Sequence, residues 1–397
     1  MMMTVKNFLQ LSVTKDFSVV AGGHALHHSV QSVEILDFEF AAGIQQVRDT
    51  AFSPHSIVLS SLLFANEKPE RLIEMLKKLI ELKVSALAYK PVIFKELPDE
   101  VLTFANEHDF PILRFGGDEF FEVIILEAMD QIKQRDNKLF LENVMRCFIE
   151  EEVSEKQIQS FLQQMNKPFE KYVFAANIQM KQSEDSQWMD AFFKLESFLR
   201  SGIICTYKQS MFILFTDKFK QLQFEKILKE WMALYAIPTD AFILGYSQVH
   251  STHTEIHLAV REAYYARIMA GIEMKPICHY EQLASDRLLI ELYRKDATFA
   301  NNYIKMYLEP LLEEKADRDL LNTAVTFVLK KGNVKETAAA HYCHPNTIRY
   351  RMAKIRQLIE PFDNELVFYE HLSAAVKLYL LHKAIEGPAV VSSINGQ

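Results

Sequence analysis

Cysteine is scarce in this sequence and never clustered. The four cysteines, Cys147, Cys205, Cys278 and Cys343, stand far apart with no C-x-x-C pair, so neither a disulfide framework nor a metal site is expected. Glycine and proline are also sparse, 11 and 12 in 397 residues, which excludes collagen-like, low-complexity and wholly disordered chains. No apolar run approaches the roughly 18–20 residues that span a bilayer, so no membrane partner is expected. The start, Met1-Met2-Met3-Thr4-Val5-Lys6-Asn7, has no basic segment leading into an apolar one. No signal peptide is expected, and the cytoplasm is the default compartment. Positive charge is not in surplus either: 44 basic against 52 acidic residues leave −8. Such a chain does not coat nucleic acid over its whole surface, but a local basic patch is compatible with that sum. The signatures G-x-x-x-x-G-K-S/T, G-x-G-x-x-G and G-x-S-x-G are all missing, and no cofactor is expected.

What is present is the composition of a globular protein, 49% hydrophobic and 24% charged, with length for two or three domains. Strand-like runs Ser56–Ser60, Val84–Tyr89 and Pro111–Phe115 alternate with helical patterns over Pro69–Leu82 and Asp99–His108. That β-α-β-α-β order predicts a parallel sheet with covering helices. Parallel sheets bind small ligands beyond the carboxyl ends of their strands. Ser60, Ser61, Lys90 and Arg114 stand at those ends and are the candidate effector-binding residues. A helical stretch follows from about Asp118 to Met165, then a second α/β pattern with the β-α-β-β-α-β order of ferredoxin-like and cyclase-palm units. From about Glu281 only helices are predicted.

The expected architecture is therefore multidomain α/β plus all-α. It comprises an N-terminal parallel α/β sensor domain (1–120), a helical linker (121–166) and a palm-like middle domain (167–280). A helical domain (281–386) and a flexible tail (387–397) complete it.

The helical third contains Gly332-Asn333-Val334-Lys335-Glu336-Thr337-Ala338-Ala339-Ala340-His341-Tyr342-Cys343-His344-Pro345-Asn346-Thr347-Ile348-Arg349-Tyr350-Arg351. A helix ending at Gly332 as its C′ residue, a short Ala-rich helix, a turn of three or four residues and a helix opening on Pro345 make a helix-turn-helix. Ile348, Met352, Ile355 and Ile359 form an apolar stripe. Asn346 and Tyr350 point away from it, flanked by Thr347, Arg349, Arg351, Lys354 and Arg356. From Thr337 through Ile359 there is no acidic residue. An ordinary buried helix with a solvated cationic face is the alternative, but turn chemistry, helical phase and charge exclusion coincide. The candidate DNA-binding residues are His344, Asn346, Thr347, Arg349, Tyr350, Arg351, Lys354 and Arg356, with double-stranded DNA as partner.

His344-Pro345-Asn346-Thr347-Ile348-Arg349-Tyr350-Arg351 resembles the C-terminal helix-turn-helix signature of the PucR/CdaR family of bacterial transcriptional regulators. Asp319-Leu320-Leu321-Asn322-Thr323-Ala324 resembles that family's approach to the motif. Thr4–Leu9 and Val19–Gly23 resemble the start of its purine-catabolism-regulator-like domain, and Gly245-Tyr246-Ser247 with Glu262-Ala263 its degenerate cyclase-like middle domain. His341-Tyr342-Cys343 departs from the Leu-Gly-Val-like turn of many members. The resemblance implies a homodimeric or larger regulator of a purine, amino-acid or related catabolic operon, responding to a small-molecule effector and having no enzymatic activity.

Two other patterns compete. Arg114-Phe115-Gly116-Gly117-Asp118-Glu119-Phe120 copies the diguanylate cyclase signature R-x-G-G-D-E-F, so a cyclic-dinucleotide enzyme or binder, through residues 116–120 or the palm-like unit, is the alternative function. The motif follows a third parallel strand and precedes a helix, however, and Asp118 is expected to cap that helix. The first strand of the palm-like unit, around Asn177, carries no acid. His250, His253 and His257 have helical spacing, as do metal ligands, but read as a polar loop and helix cap.

Overall fold

A computed structural model describes residues 3–36, 51–165, 167–181, 187–199, 201–220, 223–312, 318–359 and 364–386. The expected tail, 387–397, lies outside the described residues. The chain separates into two units, Met1–Phe140 and Leu141–Gln397.

The first unit contains α1 (Val5–Phe8), β1 (Ser18–Ala21), β2 (Ser32–Leu36), β3 (Ser56–Ser60), α2 (Arg71–Glu81), β4 (Ala86–Tyr89), α3 (Asp99–Glu107) and β5 (Ile112–Arg114). The start of α4 (Phe121–Glu150) also belongs to it. The sheet order is β1-β5-β4-β3-β2, with β2 to β5 parallel and β1 antiparallel at one edge. Every residue of β3 and β4 is buried, as expected of parallel strands covered on both faces. On one face Val58, Leu87 and Ile112 pack with Leu72, Met75, Leu76 and Leu79 of α2 and Val101 and Ala105 of α3. On the other, Ile57, Leu59, Ala86, Ala88 and Leu113 meet Val5, Phe8 and the Ile124, Ala128, Ile132 stripe of α4.

The helical stretch expected from about Asp118 to Met165 consists of two helices, α4 and α5 (Glu155–Met165). The break has a local cause. The Ser154 hydroxyl donates to Gln157 Oε1 (2.7 Å) and accepts from the Gln157 N–H (3.4 Å), a capping box that starts a new helix.

The second unit continues with β6 (Tyr172–Met180), α6 (Gln187–Phe198), β7 (Gly202–Tyr207), β8 (Ser210–Asp217), α7 (Phe224–Leu234), β9 (Phe242–Tyr246), β10 (His250–Ser251), α8 (Thr252–Ile272) and β11 (Ile277–His279). The order β9-β6-β8-β7 is the ferredoxin-like arrangement, extended by β11 in parallel beside β9. Phe192 and Leu195 of α6 and Leu228 and Trp231 of α7 cover one face. Helix α8 crosses the other face directly over Gly245. A Cβ there would stand 2.1 Å from the Arg267 nitrogen and 2.3 Å from the Ala263 oxygen. Glu262 accepts from the Gln248 N–H (2.7 Å) and Ser247 Oγ from the Ala175 N–H (2.9 Å). Gly245, Ser247, Glu262 and Ala263 thus form a structural lock between strand and helix.

Among the described residues six helices follow: α9 (Asp286–Lys295), α10 (Ala297–Leu312), α11 (Arg318–Leu329), α12 (Val334–Ala340), α13 (Pro345–Ile359) and α14 (Glu365–Glu386). Helix α14 straps them together. Its His382 and His371 meet the hydroxyls of Tyr293 and Tyr303, each at 2.9 Å, and its Lys377 pairs with Asp286 at 2.6 Å.

Candidate nucleic-acid interface

The approach to the motif is set by backbone geometry. Lys331 (φ +52°) and Gly332 (φ +78°) are both left-handed, and the Gly332 N–H donates to the Phe327 carbonyl at 2.9 Å. Lys331 is therefore the C′ residue of α11, and Gly332 follows it, one place later than the sequence reading assigns. Asn333 then caps α12, accepting from the N–H groups of Lys335 (3.0 Å) and Glu336 (3.2 Å). Thr337 and Ala338 are buried while Ala339 and Ala340 are exposed.

The turn has four residues, His341 to His344. The Cys343 N–H donates to Ala338 O (3.0 Å) and the Tyr342 N–H to Ala339 O (3.2 Å), which makes Tyr342 the C′ residue of α12. Tyr342 is left-handed (φ +50°), a conformation that costs a non-glycine residue about 1 kcal/mol. Its side chain is 98% exposed. The one sequence signal at this residue is the departure of His341-Tyr342-Cys343 from the Leu-Gly-Val-like turn that the resemblance implies.

His341 anchors the turn from inside, with Nε2 3.0 Å from the Thr326 hydroxyl. Burial, and secondarily the Arg351 charge, hold its imidazole pKa below the usual histidine value. The neutral ring is thus the native form and the unfolded chain binds the proton more tightly. The resulting stability is complete above about pH 6.5 and is lost as pH falls toward the depressed native value. Urea unfolding of a His341→Gln variant is expected to show a smaller loss of midpoint between about pH 7.5 and 5 than the wild type.

Helix α13 begins at Pro345, with His344 Nδ1 accepting from the Asn346 N–H at 3.2 Å. Ile348, Met352, Ile355 and Ile359 are buried, as their spacing predicts. The opposite face presents Asn346 and Tyr350, the latter 71% exposed, with exposed Arg349 on the flank beside them. Arg349 Nη1 donates to Asn346 Oδ1 at 2.7 Å, so cation and amide form one outward-facing pair. Thr347 is half-buried, and Lys354 and Arg356 are half-buried with polar or electrostatic interactions of their own.

Arg351 is engaged within the domain. It lies at the edge of the apolar stripe and turns inward, donating to Asp319 Oδ2 (2.7 Å) and Thr323 Oγ1 (3.3 Å) of α11. Asp319 and Thr323 thus explain the segment leading to the motif: they fix α13 against α11. Replacing Arg351 by alanine is expected to lower the stability of these helices by about 1 kcal/mol. The salt dependence of DNA binding should not change. A denaturation midpoint and a titration at several ionic strengths check the two halves.

The four effector candidates in the first unit do not form one cluster. Ser60, Tyr89 and Arg114 are cross-strand neighbours, on the face covered by α2 and α3. The Ser60 hydroxyl is buried and accepts from the Leu62 N–H at 2.9 Å. Ser61 is half-buried just beyond the strand. Lys90 alternates to the opposite face. There it tethers the following loop, donating to the carbonyls of Asp118 (3.4 Å) and Glu119 (3.2 Å). Arg114 Nε and Glu119 Oε2 are buried without hydrogen-bond partners among the described residues.

The segment 116–120 is a strand-to-helix loop rather than a hairpin, so the cyclase signature is present without its structural setting. Asp118 does not cap α4, which starts at Phe121 with the Phe120 carbonyl accepting from Val123 and Ile124. In the palm-like unit, Asn177 accepts from Arg267 Nε (2.6 Å) and donates to Ser210 Oγ (3.0 Å). A guanidinium thus occupies the centre of that strand. Burial lowers its pKa to about 10. His250 pairs with Glu262 at 2.9 Å, and among the described residues no group of three histidines, cysteines or acids is placed to hold a metal ion. Nor is any helix among them long and apolar enough to cross a membrane.

Comparison with known proteins agrees with this geometry at both ends of the chain. Residues 7–132 match the purine catabolism regulatory protein-like family, PucR, and residues 320–366 match the PucR C-terminal helix-turn-helix domain. No curated protein matches the chain. A solved structure with similarity is that of a regulator of polyketide synthase expression from Bifidobacterium adolescentis. It is 19% identical and covers 63% of this chain and 94% of that one, with a TM-score of 0.30. The amino end of the chain is thus similar to the PucR regulator domain, and the stretch from α11 to the start of α14 to the PucR-type helix-turn-helix.

Proposed function

We propose that this chain is a PucR-family transcriptional regulator, a cytoplasmic, effector-responsive protein that binds an operator of a catabolic operon for a purine, amino acid or related small metabolite. The observation that carries the reading is the outward face of α13. Asn346, Arg349 and Tyr350 stand exposed there on a helix whose other side is buried. No acid occurs from Thr337 to Ile359. In this reading His344, Asn346 and Arg349 meet the major groove, Thr347, Tyr350, Lys354 and Arg356 border it, and Arg351 positions the helix.

The N-terminal unit is the proposed sensor. Arg114 is its best ligand contact, because a buried donor that finds no partner among the described residues is costly unless a ligand supplies an acceptor. The palm-like domain is the proposed non-catalytic spacer or dimer element. A metabolite that binds one arrangement of a homodimer better shifts the population whose two recognition helices fit the operator.

Genomic footprinting with and without candidate metabolites tests the reading. Protected sites beside catabolic genes, with occupancy that changes with one metabolite, are expected. Absence of any protected site would overturn DNA binding, and occupancy indifferent to every metabolite tried would overturn the sensor role.

A further inference from the structure

We propose that Tyr342 is a DNA-backbone contact whose phenol hydroxyl donates to a phosphate oxygen at the edge of the groove entered by α13; this rests on the DNA-binding reading above. In a helix-turn-helix the first helix crosses the backbone and the second enters the major groove. The turn between them therefore faces the phosphates that line the groove.

Tyr342 occupies that turn in a conformation that glycine adopts without strain. The turn does not need its ring. Both closing hydrogen bonds, from the N–H groups of Tyr342 and Cys343, are made by backbone alone. Nor does the fold pack it, since the side chain is 98% exposed. Strain without internal compensation points outward, to a partner.

Left-handed backbone by itself would not single this residue out. Lys83, Asp109, Ala236, Met274 and Lys331 adopt it too. Tyr342 differs in setting a phenol between α12 and the recognition helix. The exposed neighbours Ala339 and Ala340 are too small to block a duplex. No carboxylate is present from Thr337 to Ile359 to repel phosphate. A neutral hydroxyl donating to an anionic oxygen makes a charge-assisted bond that carries no sequence preference.

The test uses the full chain, a fluorescent random-sequence duplex and a fluorescent genomic fragment, at low salt. Tyr342→Phe is expected to bind both duplexes roughly tenfold more weakly than the wild type. Its slope of log affinity against log salt should be unchanged, because no cation is removed. Tyr342→Gly should show at least the same loss together with a higher melting temperature, which excludes misfolding as the cause. If the wild type binds and Tyr342→Phe binds equally well, the proposal is overturned while the DNA-binding reading stands. If the wild type retains neither duplex, both fall.

Discussion

Replacing Arg349 by alanine is expected to weaken binding to duplex DNA by roughly ten- to a hundredfold per recognition helix. The expectation follows from geometry. Arg349 stands exposed on the flank of α13, clear of the buried Ile348, Met352 and Ile355, and its Nη1 donates to Oδ1 of Asn346, which is exposed too. Truncation should therefore leave the fold intact and remove a cation from the interface. If Arg349 meets a phosphate, the salt slope should fall by about 0.9 per chain. If it reads a guanine edge, the loss should concentrate on the operator and spare random DNA. Asn346→Ala removes the amide that orients the guanidinium. It is expected to flatten the preference between operator and random duplex more than it lowers overall affinity. Equal losses on both would remove the base-reading role from Asn346.

The second large effect concerns the middle domain. Gly245→Ala is expected to destabilise the second unit by about 3 kcal/mol or more, because the new methyl meets backbone rather than movable side chains. The atoms involved are the Arg267 nitrogen and Ala263 oxygen, at 2.1 and 2.3 Å from the position of the Cβ. Helix α8 would have to lift from the sheet, breaking the Glu262 bond to Gln248 and the Arg267 bond to Asn177. Gly271→Ala in the same helix is the control. Its Cβ would meet only the end of the Ile243 side chain, at 3.5 Å. That variant should be neutral or gain up to about 1 kcal/mol of helix propensity. Urea midpoints for the two variants decide the matter; similar values would contradict the close packing of α8 on β9.

Much of this was legible in the sequence because the relevant forces are local. Continuous apolar runs marked β3 and β4, and the spacing of Leu72, Met75, Leu76 and Leu79 marked α2. The ferredoxin-like order followed from counting strands and helices between turn signals. The buried stripe of α13 followed from its period. The features that escaped are either weakly patterned or long-range. Strands β1 and β2 are four and five residues with mixed burial, too short for alternation to register. The break before α5 was present as Ser154 and Gln157, but the surrounding helix-forming residues concealed it. The inward turn of Arg351 depends on Asp319, 32 positions upstream, and no helical wheel of α13 contains that carboxylate. The same holds for Lys90. Its apparent freedom at a strand end disappears because the carbonyls of Asp118 and Glu119 return to it in space.

In the proposed function an otherwise acidic chain places one locally cationic helix surface on duplex DNA. The most direct measurement of this is the affinity of the full wild-type chain for a genomic duplex over a series of salt concentrations, alongside Arg349→Ala. The account predicts measurable binding at low salt, a linear fall of log affinity with log salt, and a weaker curve for the variant. No retention of duplex at any salt, or identical curves for the two proteins, would contradict it.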